Sequence, residues 1–274
     1  MKPPILFFLL LSFPLYAQTQ IFGKLTDAAT NEALPFVNIG IPEKGVGTVS
    51  DQNGLHTLEI PTEFKDQILR FSMIGFSAKE VKISSLDSAH STLLDVSLIE
   101  EPIALKEVVV TDGEWQNIAV GNTTESKLIV AGFTSNKLGN EIAQFIKVKK
   151  QRPTLLKSFW LSIAENTIES VILRLNIYDE HQGYPAENLL DEPIYIELPN
   201  DPQTIRVDLS SYDIYLESNF FISIEWIEDL EVEGLWFSAG VLGKSLYARS
   251  ASQAMWVRKK ALSIGMGVEM LQKN

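Results

Sequence analysis

Three histidines, His56, His90 and His181, are the chain's whole supply of imidazole, and they lie far apart. There is no cysteine, which excludes thiol catalysis, disulfide scaffolds, zinc–cysteine sites and a lipid-modified N-terminal cysteine. His56 falls at a strand position, His90 in a Ser-rich loop and His181 in a Gly/Pro loop. These positions give no metal-ligand spacing, so no metal and no cofactor is expected. Gly243-Lys244-Ser245 resembles the end of a phosphate-binding loop, but that loop needs a glycine where Ser238 stands. The stretch lies between two strand-like runs and reads as a hairpin turn. Glu225, Glu228, Asp229, Glu231 and Glu233 supply oxygens for Ca²⁺ without the spacing that builds a fixed cage. They read as a solvated loop between the strands ending at Trp226 and starting at Leu235.

The aromatic residues are more informative. All five tryptophans, Trp115, Trp160, Trp226, Trp236 and Trp256, follow residue 111. In Phe220–Trp226 one face is wholly apolar, which places Trp226 in the core. In Leu155–Ile163 the apolar face is Leu155, Phe159, Leu161 and Ile163, which puts Trp160 on the other face with Ser158 and Ser162. Neighbouring strands would show Arg174, Asn176 and Tyr178, then Tyr195 and Glu197, then Arg206 and Asp208. A ring flanked by hydrogen-bonding groups on an open sheet suits a sugar, so Trp160, Arg174, Asn176 and Tyr178 are the candidate ligand-binding residues. The alternative is that Trp160 covers a loop or the first domain.

The elements that would position these residues are strands. From Ile21 onward the dominant period is two, with turn residues every eight to twelve positions, which is the pattern of β-sandwiches. A first set runs Ile21–Thr26, Phe36–Ile41, Gly47–Ser50, Leu55–Ile60, Ile68–Met73, Phe76–Ile83 and Leu93–Leu98, enough for one small sandwich. An acidic stretch, Ile99-Glu100-Glu101-Pro102, opens a linker over residues 99–126. About ten longer strands then fit a jelly-roll-like double sheet over residues 127–274. Before all of this, Met1–Ala17 has a positive start, an apolar run over Ile5–Leu11 and a small residue before Gln18. It reads as a signal peptide, too short for a membrane anchor, and no later segment reaches transmembrane length. With Lys+Arg 23 against Asp+Glu 35 the net charge is −12, which argues against a nucleic-acid partner.

Three patterns in the first domain resemble the carboxypeptidase regulatory-like domain, a transthyretin-type β-sandwich. They are Gly23-Lys24-Leu25-Thr26-Asp27 with Pro35-Phe36-Val37-Asn38-Ile39, the turn Gly47-Thr48-Val49-Ser50-Asp51-Gln52-Asn53-Gly54-Leu55, and Ile74-Gly75-Phe76. A fourth, Leu105-Lys106-Glu107-Val108-Val109-Val110-Thr111, resembles the junction that follows such a domain in TonB-dependent outer-membrane receptors. Only 163 residues follow Thr111, too few for a plug and a barrel of about 22 strands. The second half is similar to an uncharacterised C-terminal region of exported bacterial proteins. The resemblance implies a non-catalytic companion domain. The zinc peptidase that gives the family its name needs two histidines and a glutamate as ligands, for which nothing here matches.

The expectation is therefore an all-β, exported envelope protein. It has an N-terminal seven-stranded Ig/transthyretin-like sandwich (residues 18–98) and a C-terminal jelly-roll-like sandwich. It would reside in the periplasm, at the outer membrane or on the cell surface, as a non-enzymatic interaction module for an envelope protein. The competing class is a carbohydrate-binding module capturing a glycan. An exposed aromatic sheet face favours the second class, and a buried Trp160 favours the first.

Overall fold

The structure, a computed structural model, describes residues 18–86, 91–101, 113–133, 135, 137–149, 152–230 and 234–273. The expected signal peptide, His90, the Leu105–Thr111 junction, Glu231 and Glu233 lie outside the described residues.

The described chain is all-β and forms two sandwiches. The first contains β1 (Gln18–Asp27), β2 (Asn38–Gly40), β3 (Gly47–Val49), β4 (Leu55–Pro61), β5 (Ile68–Ser72), β6 (Lys79–Lys82), β7 (Ser91–Leu93) and β8 (Val96–Leu98). One sheet has the order β4-β1-β7 with β8 also on β1, and the other has the order β3-β2-β5-β6. Period-two alternation sends Ile21 and Leu25 of β1, Ile39 of β2 and Phe71 of β5 into a shared core with no exposure. The seven expected strands appear as eight pieces because the last is interrupted. β7 and β8 both run parallel to β1. At the break the Lys24 amide donates to Asp95 Oδ1 at 2.8 Å and the Leu94 amide to the Phe22 carbonyl at 2.8 Å.

The second sandwich begins earlier than the sequence pattern placed it. β9 (Trp115–Gly121) falls inside the segment expected as a linker, yet it pairs along its length with the C-terminal strand β21 (Met266–Lys273). Between them come β10 (Val130–Ala131), β11 (Glu141–Ile146), β12 (Thr154–Asn166), β13 (Val171–His181), β14 (Tyr184–Asn188), β15 (Ile194–Leu198) and β16 (Thr204–Asp208). β17 (Tyr215–Leu216), β18 (Phe220–Trp226), β19 (Leu235–Arg249) and β20 (Val257–Ile264) complete the set. One layer holds β9, β21 and β12 with β16 and β17, and the other holds β14, β13, β18 and β11 with β15. The 15-residue strand β19 belongs to both layers: its start pairs with β12 and its end with β11. Phe159, Leu161, Leu173, Leu175, Phe220 and Ile222 fill the space between, all fully buried.

Three local expectations need correction. Gly243-Lys244-Ser245 is not a hairpin turn, because it lies within β19, where the pairing with β20 shifts register between Val241 and Ser245. In β12 a register shift against β21 between Leu156 and Ser158 changes the phase. Leu156 rather than Leu155 therefore joins Phe159 in the core. Glu225 does not belong to a solvated loop, since it lies within β18 and is completely buried. Among the described residues, no helix is long and apolar enough to cross a membrane.

Candidate functional site

Four adjacent strands place one charged residue each in a single cross-strand row. Arg174 on β13 is opposite Glu225 on β18, Glu225 is opposite Glu141 on β11, and Glu141 is opposite Arg249 on β19. Alternation turns all four away from the main core, on the outer face of the layer. Charges run plus, minus, minus, plus. Both carboxylates are fully buried, Arg174 is 2% exposed and Arg249 only 10%. Charges taken out of water at this depth persist only when paired and hydrogen-bonded.

The pairing is dense. Arg174 Nε and Nη2 donate to Glu225 Oε2 at 2.9 and 2.8 Å. Arg249 Nη2 lies 2.5 Å from Glu141 Oε2 and 3.6 Å from Glu225 Oε1, so one guanidinium bridges both carboxylates. Asn176 Nδ2 donates to Glu141 Oε1 and Glu225 Oε2, each at 2.9 Å, and the Ser223 hydroxyl donates to Glu141 Oε1. Burial pushes the Glu141 carboxyl above its ordinary range, with Arg249 pulling against it and Glu225 adding to the rise. Burial also opposes the charge of Glu225, but Arg174 and Arg249 outweigh it and hold Glu225 low. Burial, with Glu141 beside it, carries the Tyr178 hydroxyl well above a free tyrosine.

The remaining arm of Arg174 explains what covers this face. Its Nη1 donates to the backbone carbonyl of Phe36, in the first sandwich, at 2.6 Å. Phe36 has a φ of +56°, a rare conformation for a bulky residue that must be held by its surroundings. Its ring packs 5.3 Å from that of Tyr195, which is opposite Arg174 on β15. Phe36 and Val49 form a small apolar cluster with Ile227 of the second sandwich. A second contact lies nearby: Glu43 donates its amide to the Gln253 carbonyl and Gln253 Nε2 donates to the Ser72 hydroxyl, both at 2.8 Å. The paired residues Gly40 and Gly47 admit this loop. A Cβ on either would stand 2.5 or 2.2 Å from the Ser252 carbonyl oxygen.

The expected open face is therefore closed, and its four residues are divided between two places. Arg174, Asn176 and Tyr178 lie in the charged row and its flank, at 2%, 1% and 6% exposure. Trp160 lies in the other layer, 3% exposed. Its Nε1 donates to the Asn122 carbonyl at 3.0 Å, and its ring lies over Gly267 and Gly121, which occupy one cross-strand row with it. Arg206, opposite on β16, places its guanidinium 5.9 Å from the ring centre. The covering loop at Asn122 is the alternative raised for Trp160 from the sequence. Alternation located the polar row correctly but could not say what lies over it. Glu141 and Arg249 were missed, although the run Glu141-Ile142-Ala143-Gln144-Phe145-Ile146, with two polar residues in an otherwise apolar strand, was a readable signal. His56 on β4 is buried with neither ring nitrogen hydrogen-bonded among the described residues, and it packs edge-on to Phe71. Among the described residues, no three His, Asp or Glu side chains converge on a metal position.

Residues 21–110 match the family described as CarboxypepD_reg-like domain. The first sandwich is a carboxypeptidase regulatory-like domain. Its strand-joining segment Leu34–Phe36 thus carries the carbonyl that Arg174 holds, and its β2–β3 pair receives the Ser252 loop. The chain is also 28% identical over 151 residues to "TonB-dependent receptor P3" of Formosa agariphila (strain DSM 15362 / KCTC 12365 / LMG 23005 / KMM 3901 / M-2Alg 35-1). The match covers 54% of this chain but only 14% of the receptor. Among solved structures, the major pilin subunit of Bacillus cereus is 10% identical, covering 90% of this chain and 68% of the pilin at a TM-score of 0.22. A structure of infectious bursal disease virus is 9% identical, covering 93% and 77% at 0.23. Nothing follows from structural likenesses at that level. The regulatory-like domain and the receptor relative fit an envelope-associated module.

Proposed function

We propose that this protein is an exported, non-catalytic interaction module of the cell envelope. In this reading the regulatory-like domain is fixed against the second sandwich, and the pair presents one rigid surface to an envelope protein. The observation that carries it is the Arg174–Phe36 bond inside the charged row. Arg174, a polar group that could have faced a ligand, instead holds one domain on the other while paired with Glu225. Rigid presentation lowers the ordering cost of binding, which is a reason to retain so many buried charges at a domain joint. The receptor relative supports the envelope setting, and export rests on the apolar leader Met1–Ala17.

The test is affinity capture from native envelopes with the mature chain as bait, beside an Arg174→Met variant with loosened domains. The reading expects a partner protein retained by the wild type and lost by the variant. Turnover of a peptide or glycan library by the purified chain would overturn the non-catalytic part. The glycan-binding alternative loses its platform, since Trp160 cannot stack on a sugar until the Asn122 loop leaves its ring.

A further inference from the structure

A cleft of about 530 Å³ opens at the edge of the second sandwich and shares no lining residue with the charged row. This volume is within the range of small-molecule sites. Its walls are Ile118 and Val120 of β9 and Met270 of β21 on one side, and the Lys147–Lys149 stretch after β11 on the other. β9 is the last strand of its layer, so the gap between layers is open there. In the extended stretch Val148 turns inward, 6% exposed, and the flanking Lys147 and Lys149 turn outward. The turn is held by the Val148 amide donating to Asn219 Oδ1 at 3.2 Å. Gln272 Nε2 donates to the Thr154 hydroxyl at 2.9 Å. The cleft thus combines an apolar wall with two ammonium groups at its mouth. Neither has an ion-pair partner among the described residues, in a chain whose net charge is −12.

We propose that this cleft binds a single-chain anionic amphiphile, a medium-chain fatty carboxylate. The acyl chain lies along Ile118, Val120, Val148 and Met270, and the carboxylate sits between Lys147 and Lys149. Two like charges side by side repel, and an anion between them converts that cost into two charge-assisted hydrogen bonds.

Isothermal titration of the full chain with decanoate, dodecanoate and dodecyl maltoside tests this. Dodecanoate should bind, with affinity rising about fourfold per methylene from decanoate, as burial of the chain requires. The double variant Lys147→Glu/Lys149→Glu, which changes only exposed side chains, should bind dodecanoate at least about tenfold more weakly at an unchanged melting temperature. Ile118→Trp should block the cleft and abolish binding. The proposal is overturned if dodecanoate does not bind, if the maltoside binds as tightly as the carboxylate, or if the double-lysine variant binds like the wild type. Such a failure leaves the domain-joint reading untouched, because the cleft shares no residue with the charged row.

Discussion

Arg174 and Glu225 form an ion pair at 2.8 Å, and the same guanidinium reaches 2.6 Å to the carbonyl of Phe36 in the other domain. Docking of the regulatory-like domain is thereby coupled to a charge pair inside the second sandwich. Removing one member leaves the other charged, buried and short of a partner. Arg174→Ala should therefore cost about 3–5 kcal/mol. Arg174→Met/Glu225→Met, which removes both charges, should cost less than the sum of its single variants. A double-mutant cycle by urea denaturation measures the coupling, and strict additivity would contradict the row as described.

Trp160→Ala should destabilise the second sandwich by about 3–5 kcal/mol, as truncation of a buried tryptophan does. Gly267→Val should act at the same place, because a Cβ there would stand 2.3 Å from the indole. Chemical denaturation of both variants checks this; a Trp160→Ala protein as stable as the wild type would mean that the ring contributes no packing.

Gly54 turns the chain between β3 and β4 at a φ of +74°, and an added Cβ would lie 2.5 Å from the Leu25 carbonyl oxygen. Asp51 Oδ1 accepts from the amides of Asn53 and Leu55, each at 2.8 Å, fixing the same turn. Gly54→Val should lower stability by more than about 1 kcal/mol, because a β-branched residue resists positive φ. Thermal unfolding reads this, and an unchanged Tm would refute the role of the turn.

His56 gives a pH dependence whose sign is fixed. Burial lowers its pKa below the ordinary 6.5, with Asp95 pulling the other way. The unfolded chain therefore binds the proton more readily than the folded one. The contribution of neutral His56 is fully present above pH 6.5 and is lost as pH falls from there toward the lowered folded value. His56→Phe, placed against Phe71, should flatten the stability profile over that window. Profiles of equal slope for variant and wild type would contradict this.

Much of the architecture was legible in the sequence because sandwich strands alternate. Ile21, Leu25, Ile39 and Phe71 reveal their inward face by spacing alone. The Asp51–Gly54 turn announces itself through residues that tolerate few other conformations. The same rule located Arg174, Asn176 and Tyr178 on one face. It failed in β12, where one extra residue at Lys157 reverses the phase, because a bulge leaves no mark in residue types. It also passed over β9 and β21, whose pairing joins residues more than a hundred positions apart.

By itself the sequence determined an all-β chain with a regulatory-like domain first, and the identity of a polar row on one strand. Only the tertiary structure decided whether that row met solvent. Exposure depends on what is laid over a sheet, here a second domain held by Phe36 and the Ser252 loop, and on long-range register that sets Arg249 beside Glu141. Local periodicity carries neither, because burial of a charge is a property of its neighbours in space.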